Sequence, residues 1–247
     1  MSALLRWALL PMVFLCAISG ARAQPLVADL SSHLISIRTD FVGTEVLLFG
    51  ATEGEGDVIV VLRGPELPMV VRLCERIAGI WVNRHEARFT GVPAFYRFAA
   101  SRDLGEIAPP AVLARHQIGL SNLRLDPGQT LTREEAAAFR AGLIRNQERA
   151  HLFDGEPGKV SFLGSRLFRT RIELPANVPT GSYTVEVFLV SDGQVVAAQT
   201  TPLFVSRAGV SAEVYEFAHR EAALYGLAAI LIALLTGWAA SYVARRA

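Results

Sequence analysis

Polar and ionisable side chains are concentrated in one short stretch, Gly79-Ile-Trp-Val-Asn-Arg-His-Glu-Ala-Arg-Phe89. His85 in this stretch could act as a general base if a nucleophile or an orienting carboxylate lay beside it, but no local spacing supplies one. The apolar residues before Asn83 instead alternate in the manner of a strand with one buried side. We therefore predict a β-hairpin whose turn is Asn83–Glu86, rather than an active site.

Metal-binding and nucleophilic patterns are missing from the sequence. The histidines occur singly, with no His-x-x-x-His or Cys-x-x-Cys spacing: His33, His85, His116, His151 and His219. The glycine-rich loop Gly50–Gly56 has neither the lysine of a P-loop nor the spacing of an EF-hand. We expect no cofactor, no metal and no catalytic residue. The enzyme alternative is a hydrolytic site assembled from distant residues such as His85, His151 and Asp154.

A set of arginines is the strongest sequence candidate for ligand binding. Thr132–Ala150 is predicted as a helix, because Thr132 and Glu135 form a capping box before apolar residues at helical spacing. The candidate anion-binding residues on its polar face are Arg140, Arg145 and Arg149. A solvated arginine face is the simpler interpretation of this pattern.

Both ends of the chain have the character of membrane-targeting segments. Residues 1–23 combine a basic start, an apolar run and an Ala-x-Ala signature, which predicts a cleaved signal peptide. Ala222–Ala244 contains no charged residue, and at 1.5 Å per residue a helix of this length is roughly 34 Å long, enough to cross a bilayer once. Arg245 and Arg246 follow directly and favour a cytoplasmic C-terminus.

Small side chains recur every fourth residue along the predicted span: Ala229, Ala233, Gly237 and Ser241. Such a row lets another helix approach closely, since van der Waals contact replaces the hydrophobic effect inside lipid. We expect this packing face to contact a polytopic membrane protein or a second copy of the chain.

The segment between the two ends is close to neutral and has no disulfide. Without the arginines of the two ends, 20 basic residues stand against 23 acidic ones, so the charge gives no reason to expect a nucleic-acid partner. Cys16 lies in the predicted signal peptide, which leaves Cys74 alone in the mature chain. Hydrophobic burial must therefore hold the external domain together.

Short apolar and β-branched runs separated by Gly, Pro and Asp predict a mainly β ectodomain. Seven runs between Ser31 and Ser101 favour an immunoglobulin-like β-sandwich. A short helix at Pro109–Gln117 and the long helix follow, and strands return after Gly158 with a hairpin at Asp192-Gly193. We thus predict two β units with an intervening helical segment, plus one C-terminal transmembrane helix.

The predicted boundaries are 1–23 for the signal peptide, 24–104 for the N-terminal β-sandwich unit, 105–157 for the helical connecting segment, 158–207 for the C-terminal β unit, 208–221 for a juxtamembrane stalk, 222–244 for the transmembrane helix and 245–247 for the cytoplasmic tail.

Several stretches together resemble a known family. They include Phe41-Val-Gly-Thr-Glu-Val-Leu-Leu-Phe-Gly-Ala51, Gly79-Ile-Trp-Val-Asn83, Pro93-Ala-Phe-Tyr96, Leu174-Pro-Ala-Asn-Val-Pro-Thr-Gly-Ser-Tyr183, Tyr215-Glu-Phe-Ala218 and Leu224-Tyr-Gly226. The chain resembles the alphaproteobacterial transmembrane protein family Alph_Pro_TM over nearly all of its mature length. The resemblance implies no activity and no catalytic residues. It does suggest a gene neighbourhood, because genes of this family often lie beside those of TauE/SafE-type sulfite-exporter permeases.

These patterns lead to one main functional hypothesis and two alternatives. The main hypothesis is a single-pass protein of the bacterial inner membrane, with the bulk of the chain in the periplasm, that acts without catalysis as an accessory or interaction partner of a transporter, such as a sulfite or anion permease. The first alternative is a periplasmic module that binds or senses a ligand between its β units. The second is the hydrolytic enzyme described above.

Overall fold

The computed structural model describes residues 26–77, 80–128, 131–208 and 218–244. Within these ranges, the side chains at 74–77, 80–84, 224, 228 and 239–244 are outside the description. The predicted signal peptide and the cytoplasmic tail lie outside the described residues, as does most of the predicted stalk.

The described strands form three sheets. Sheet A has four strands in the order β1 (Leu26–Leu30), β3 (Gly43–Thr52), β11 (Leu167–Pro175) and β10 (Ser161–Leu163). Sheet B has six in the order β2 (Leu34–Ile37), β13 (Gln194–Arg207), β12 (Gly181–Ser191), β4 (Asp57–Arg63), β7 (Tyr96–Ala100) and β9 (Gly158–Lys159). Sheet C has three in the order β5 (Glu66–Ile77), β6 (Ile80–Pro93) and β8 (Asp126–Pro127).

Sheets A and B enclose the first hydrophobic core. Successive side chains of a strand point to opposite faces, so β11 buries Phe168, Ile172 and Leu174 while Arg169 and Arg171 between them are exposed. The facing side of sheet B contributes valines and leucines of β4, β12 and β13 to the same core. The alternation of β11 is what places its arginines beside the mouth of this sandwich.

Sheet B is a central layer, because its other face is also covered. Strand β4 is buried from Val58 to Leu62 without alternation, as expected of a strand that has neighbours on both faces. The covering elements are sheet C and the helices α1 (Leu104–Ile107), α2 (Pro110–Arg115) and α3 (Arg133–Arg149). Phe139 and Leu143 of α3 lie in this second core together with Phe188 of β12.

The predicted capping box and hairpin are confirmed. The Thr132 hydroxyl accepts a hydrogen bond from the Glu135 N–H (3.3 Å), and the Glu135 carboxylate accepts one from the Thr132 N–H (3.0 Å). Asp192 and Gly193 have φ values of 51° and 72°, the left-handed pair that a two-residue type I′ turn requires between β12 and β13.

The two predicted β units share their sheets, because β11 pairs with β3 in sheet A and β12 pairs with β4 in sheet B. One prediction about the β-structure is wrong. Asn83–Glu86 is not a turn, since β6 continues through it and pairs with β5, so that His85 lies opposite Leu73. The strands of this hairpin meet at residues 78–79, which lie outside the described residues.

The protein is therefore mainly β, with a sheet sandwich and a helical layer, while the immunoglobulin-like assignment stays a prediction. Parallel pairs at both edges of sheet B, between β13 and β2 and between β7 and β9, add strands to four antiparallel strands. Tyr183 at the start of β12 donates a hydrogen bond to the Pro179 carbonyl (2.6 Å), an arrangement also used at the corners of β-sandwich domains.

The helix predicted at the C-terminus is present as α4 (Ala222–Ala244). Its longest run of described side chains is 229–238, and within the described part of the chain no helix is long and apolar enough to cross a membrane. The described apolar side chains of α4 are exposed, including Ile232 (62%) and Leu235 (65%). The packing-face residues Ala229 and Ala233 are exposed as well, and no atom lies within 4 Å of a Cβ placed on Gly237.

Candidate functional site: a basic cleft between the sheets

A cleft of about 470 Å³ opens where the edges of sheets A and B separate. One wall is β11 from Arg169 to Glu173, and the other is formed by β4, β7 and β9. Strand β10 covers β11 only over Leu167–Arg169. The edge of β7 is paired at its two ends, with β9 at Ala99–Ala100 and with the backbone of Leu152–Asp154 at Tyr96, which leaves the part between them uncovered. The cleft follows from this incomplete coverage.

The floor of the cleft is apolar and its rim is charged. Val60, Leu62 and Ile172 line the floor and are buried. The charged lining residues are Arg97, Lys159, Arg169 and Arg171 on the positive side, with Asp154 and Glu173 on the negative side. Four cations against two carboxylates give the lining a net positive charge.

Arg97 is the most enclosed cation of the cleft. It lies on β7 between Phe95 and Ala99, two residues of the first core, so its side chain is directed between the sheets. Its side chain is 23% exposed and its guanidinium stacks over the Phe95 ring at 5.8 Å from the centroid. This cation–π contact helps to hold the guanidinium inside the cleft.

Arg97 is poorly satisfied for so enclosed a cation. Its Nε is buried and has no hydrogen-bond partner among the described residues. The Asp154 and Glu173 carboxylates lie 3.7 Å and 3.9 Å from its Nη1, within ion-pair distance but beyond hydrogen-bond range. A buried donor without a partner costs about 1–3 kcal/mol. Arg97 therefore has two long ion pairs and no hydrogen bond to either carboxylate.

The walls of the cleft are fixed by backbone contacts. The buried Thr170 hydroxyl donates to the Lys159 carbonyl (3.0 Å), which joins β11 of sheet A to β9 of sheet B. The Asp154 N–H donates to the Tyr96 carbonyl (3.2 Å) and so holds Asp154 beside Arg97. A second, more open cavity of about 440 Å³ shares Arg97 and Glu173 with the first and reaches His151.

A second polar cluster lies behind Arg97, on the opposite face of β7. The Tyr96 hydroxyl donates to the Gln117 carbonyl (2.9 Å) and accepts from the Gly119 N–H (2.8 Å). Arg63 forms an ion pair with Glu186 and donates to the His116 carbonyl (2.7 Å). These bonds join sheet B to the loop after α2, so the cluster is a structural tie.

The pKa values in this cluster follow from burial. Burial raises the pKa of Tyr96 to about 12, although the Gly119 N–H and the Arg63 charge oppose the shift. Burial also lowers the pKa of Arg63, and burial with nearby arginines lowers the pKa of His116. At neutral pH Tyr96 is therefore a neutral hydrogen-bonding group and not a base.

The arginines predicted to bind anions differ in their surroundings. The Arg140 guanidinium donates to the carbonyls of Leu120 (3.4 Å), Ser121 (2.6 Å) and Leu123 (2.9 Å), so it caps the loop after α2 instead of facing solvent. Arg145 and Arg149 are exposed on α3. Neither of them lines the basic cleft.

The histidines suggested for a dispersed active site are far apart. His85 lies near the start of α3, because its charge acts on Glu135 in the first turn. His151 follows the last turn of the same helix. A helix of 17 residues is about 25 Å long, so these two histidines do not meet, although His151 and Asp154 both lie near Arg97. Among the described residues, no group of three potential metal ligands comes together.

Arg97 was not predicted as a site residue, because the sequence on either side of it resembles that of an ordinary strand. Its motif, Tyr96-Arg-Phe98, has one charged residue between two aromatic ones, which is typical of a half-exposed strand. The signal that could have identified it is that Phe95, Arg97 and Ala99 share one face of a strand with otherwise apolar residues. A charge in that position requires a partner or a cavity.

Comparison with known proteins gives a family and no further relative. The family model described as Putative transmembrane protein (Alph_Pro_TM) matches residues 25–246. Neither a curated protein nor a solved structure gives a significant match. The matched range includes the sheets, the residues that line the cleft and helix α4. The chain belongs to the Alph_Pro_TM family of putative transmembrane proteins.

Proposed function

We propose that this protein is a single-pass membrane protein that acts without catalysis as an accessory of a membrane transporter. In this proposal α4 crosses the inner membrane, the β body lies in the periplasm and the C-terminus is cytoplasmic. The family resemblance points to an anion permease, such as a sulfite exporter, as the transporter.

The surface of α4 is the observation on which the proposal depends. The helix has 23 residues and no charge, and its described apolar side chains are exposed on every side, from Leu227 to Trp238. A helix that is apolar all round is stable in lipid or inside a protein, and exposing it to water is unfavourable. A membrane environment resolves this conflict.

The row of small residues supports contact with another helix. Gly237 has open space around its Cα, and Ala229 and Ala233 continue its row toward the N-terminus of the helix. Backbones that approach closely gain van der Waals contact and Cα–H contacts, which drive association within lipid. A self-associated pair would use the same row.

The topology is tested by protease protection. We expect protease added to spheroplasts to digest the β body and to leave a tag placed after Arg246 intact. Digestion of that tag from outside, with protection of the β body, would contradict the proposed orientation.

The helix contact is tested by crosslinking within intact membranes, followed by identification of the captured protein. Gly237→Leu should strongly reduce capture of a polytopic partner, because the added side chain separates the two backbones. Ala239→Leu is the matched control, since two residues turn the helix by about 200° and place this position on the far side. Equal capture by both variants would count against the small-residue face, and capture of only a second copy would favour a homodimer.

The second candidate function is a ligand-binding module, and the basic cleft favours it. A preformed cavity with a few polar groups over an apolar floor is the usual form of a small-molecule site. Both functions are compatible with one molecule, because the cleft belongs to the β body and the helix contact belongs to α4.

A further inference from the structure

We propose that the cleft between sheets A and B binds a small organic acid, whose anionic group is held by Arg97 and whose apolar part lies against Val60, Leu62 and Ile172. This inference goes beyond the accessory role, because it concerns the β body alone. It also assigns the cleft to residues other than the arginines of α3.

The anionic group is identified by Arg97, which is enclosed in the cleft and makes no hydrogen bond to the two carboxylates beside it. Asp154 and Glu173 lie within ion-pair distance of its Nη1 but too far for hydrogen bonds. A guanidinium offers parallel N–H donors that match the two oxygens of a carboxylate or the edge of a phosphate. The Phe95 ring, with its centroid 5.8 Å from the guanidinium carbon, adds a cation–π contact that helps to hold the group in place.

The charges around Arg97 favour an anion over a cation. Lys159 and Arg169 are exposed at the rim and have no ion-pair partner within the described part of the chain. Arg171 is engaged with Glu45, with 3.1 Å between Nε and Oε1. The carboxylates of Asp154 and Glu173 oppose an anion, but their side chains are 41% and 76% exposed, so water screens both charges.

The size and floor of the cleft favour an organic acid over an inorganic ion. A volume of about 470 Å³ lies within the range of roughly 300–1,000 Å³ found for small-molecule sites. The floor residues Val60, Leu62 and Ile172 are already buried, so they offer packing contacts and little further surface to cover. An inorganic oxyanion would leave most of this volume to water, whereas an acid with a short apolar chain would fill it and gain van der Waals contact with the floor.

Titration of the full-length protein in a neutral maltoside detergent with hexanoate tests the inference. Hexanoate is the probe, with sulfate and hexylammonium as comparisons at constant ionic strength, and binding is followed by calorimetry against a detergent blank. We expect saturable hexanoate binding below about 10 mM, weaker binding of sulfate and no binding of hexylammonium.

Variants distinguish the cleft from nonspecific binding. Arg97→Met should weaken hexanoate binding tenfold or more, because it removes the charge-assisted hydrogen bonds. Arg145→Met is the matched control on α3 and should leave binding unchanged. Since Arg97→Met could disturb the fold, Arg169→Glu provides a second test at an exposed rim position and should also weaken binding several-fold.

Three results would overturn the inference. They are the absence of saturable hexanoate binding, equal affinity for sulfate or hexylammonium, and wild-type hexanoate affinity in either cleft variant. None of these measurements depends on a membrane partner, so their failure would leave the accessory role of α4 to its own tests.

Discussion

Removing the Tyr96 hydroxyl should loosen the helical layer from sheet B. Tyr96 is fully buried, and its hydroxyl is bonded both to the Gln117 carbonyl (2.9 Å) and to the Gly119 N–H (2.8 Å). In Tyr96→Phe the buried Gly119 N–H loses its acceptor, which costs about 1–3 kcal/mol. The Gln117 carbonyl retains a bond from Arg63 (3.3 Å), so its loss is smaller. We expect a total loss of about 2 kcal/mol in the free energy of unfolding.

The assay is denaturant unfolding of the full chain in maltoside, followed by far-ultraviolet circular dichroism. Tyr183→Phe is the matched control, because it also removes one buried phenol hydroxyl. That hydroxyl donates only to the Pro179 carbonyl at the loop, so its loss should cost about 1 kcal/mol. A Tyr96→Phe effect that is below about 0.5 kcal/mol, or smaller than that of Tyr183→Phe, would refute the assignment of the Tyr96 cluster as a structural tie.

The pH dependence gives an independent test of the same cluster. Burial raises the pKa of Tyr96 to about 12, whereas a tyrosine of the unfolded chain titrates near about 10. A raised folded pKa means that the stabilising effect of the neutral form is complete below about pH 10 and is lost as the pH rises through about 12. We expect wild-type stability to fall over this window and Tyr96→Phe to show a shallower fall. Parallel curves for the two proteins would contradict the burial argument.

Three further substitutions test the local geometry. His151 occupies the left-handed position after α3 (φ 57°), so His151→Gly should stabilise the protein by about 1 kcal/mol, and an unchanged melting temperature would count against this. Gly50 contacts the Phe168 ring so closely that an added Cβ would lie 2.5 Å from it; Gly50→Ala should therefore destabilise the sandwich by about 2 kcal/mol in denaturant unfolding. The Arg102 hydrogen bond lowers the pKa of Asp57, so the stability it provides above about pH 4 is lost as the pH falls, and Asp57→Asn should flatten the acid limb of the stability curve.

The features that the sequence by itself determined are those set by neighbouring residues. The capping box at Thr132, the Asp192-Gly193 turn, the alternation of β11 and the bounds of helix α4 depend on spacing within a few positions, and each is present as predicted. Such features can be predicted from the sequence because capping hydrogen bonds, left-handed glycines in turns and hydrophobic periodicity depend only on residues a few positions apart. That α4 crosses a membrane remains a prediction from composition.

The pairing of the sheets was decided only by the tertiary structure. Strand β3 pairs with β11, which is more than a hundred residues away in the sequence, and the sequence of neither strand identifies the other as its partner. A turn was predicted at Asn83–Glu86 because these residues are polar, yet β6 continues through them and pairs with β5. Polar residues indicate exposure to solvent, and a strand with one solvent-exposed face is as compatible with them as a turn is.

The basic cleft also required the tertiary structure. Arg97 on β7, Lys159 on β9 and Arg171 on β11 come together because β11 of sheet A lies beside β7 and β9 of sheet B, and no spacing along the chain encodes that arrangement. Arg140 was predicted to bind an anion because of its charge, yet its guanidinium donates hydrogen bonds to three backbone carbonyls. Whether an arginine is available to a ligand depends on the acceptors that folding places around it, and those acceptors come from residues distant in sequence.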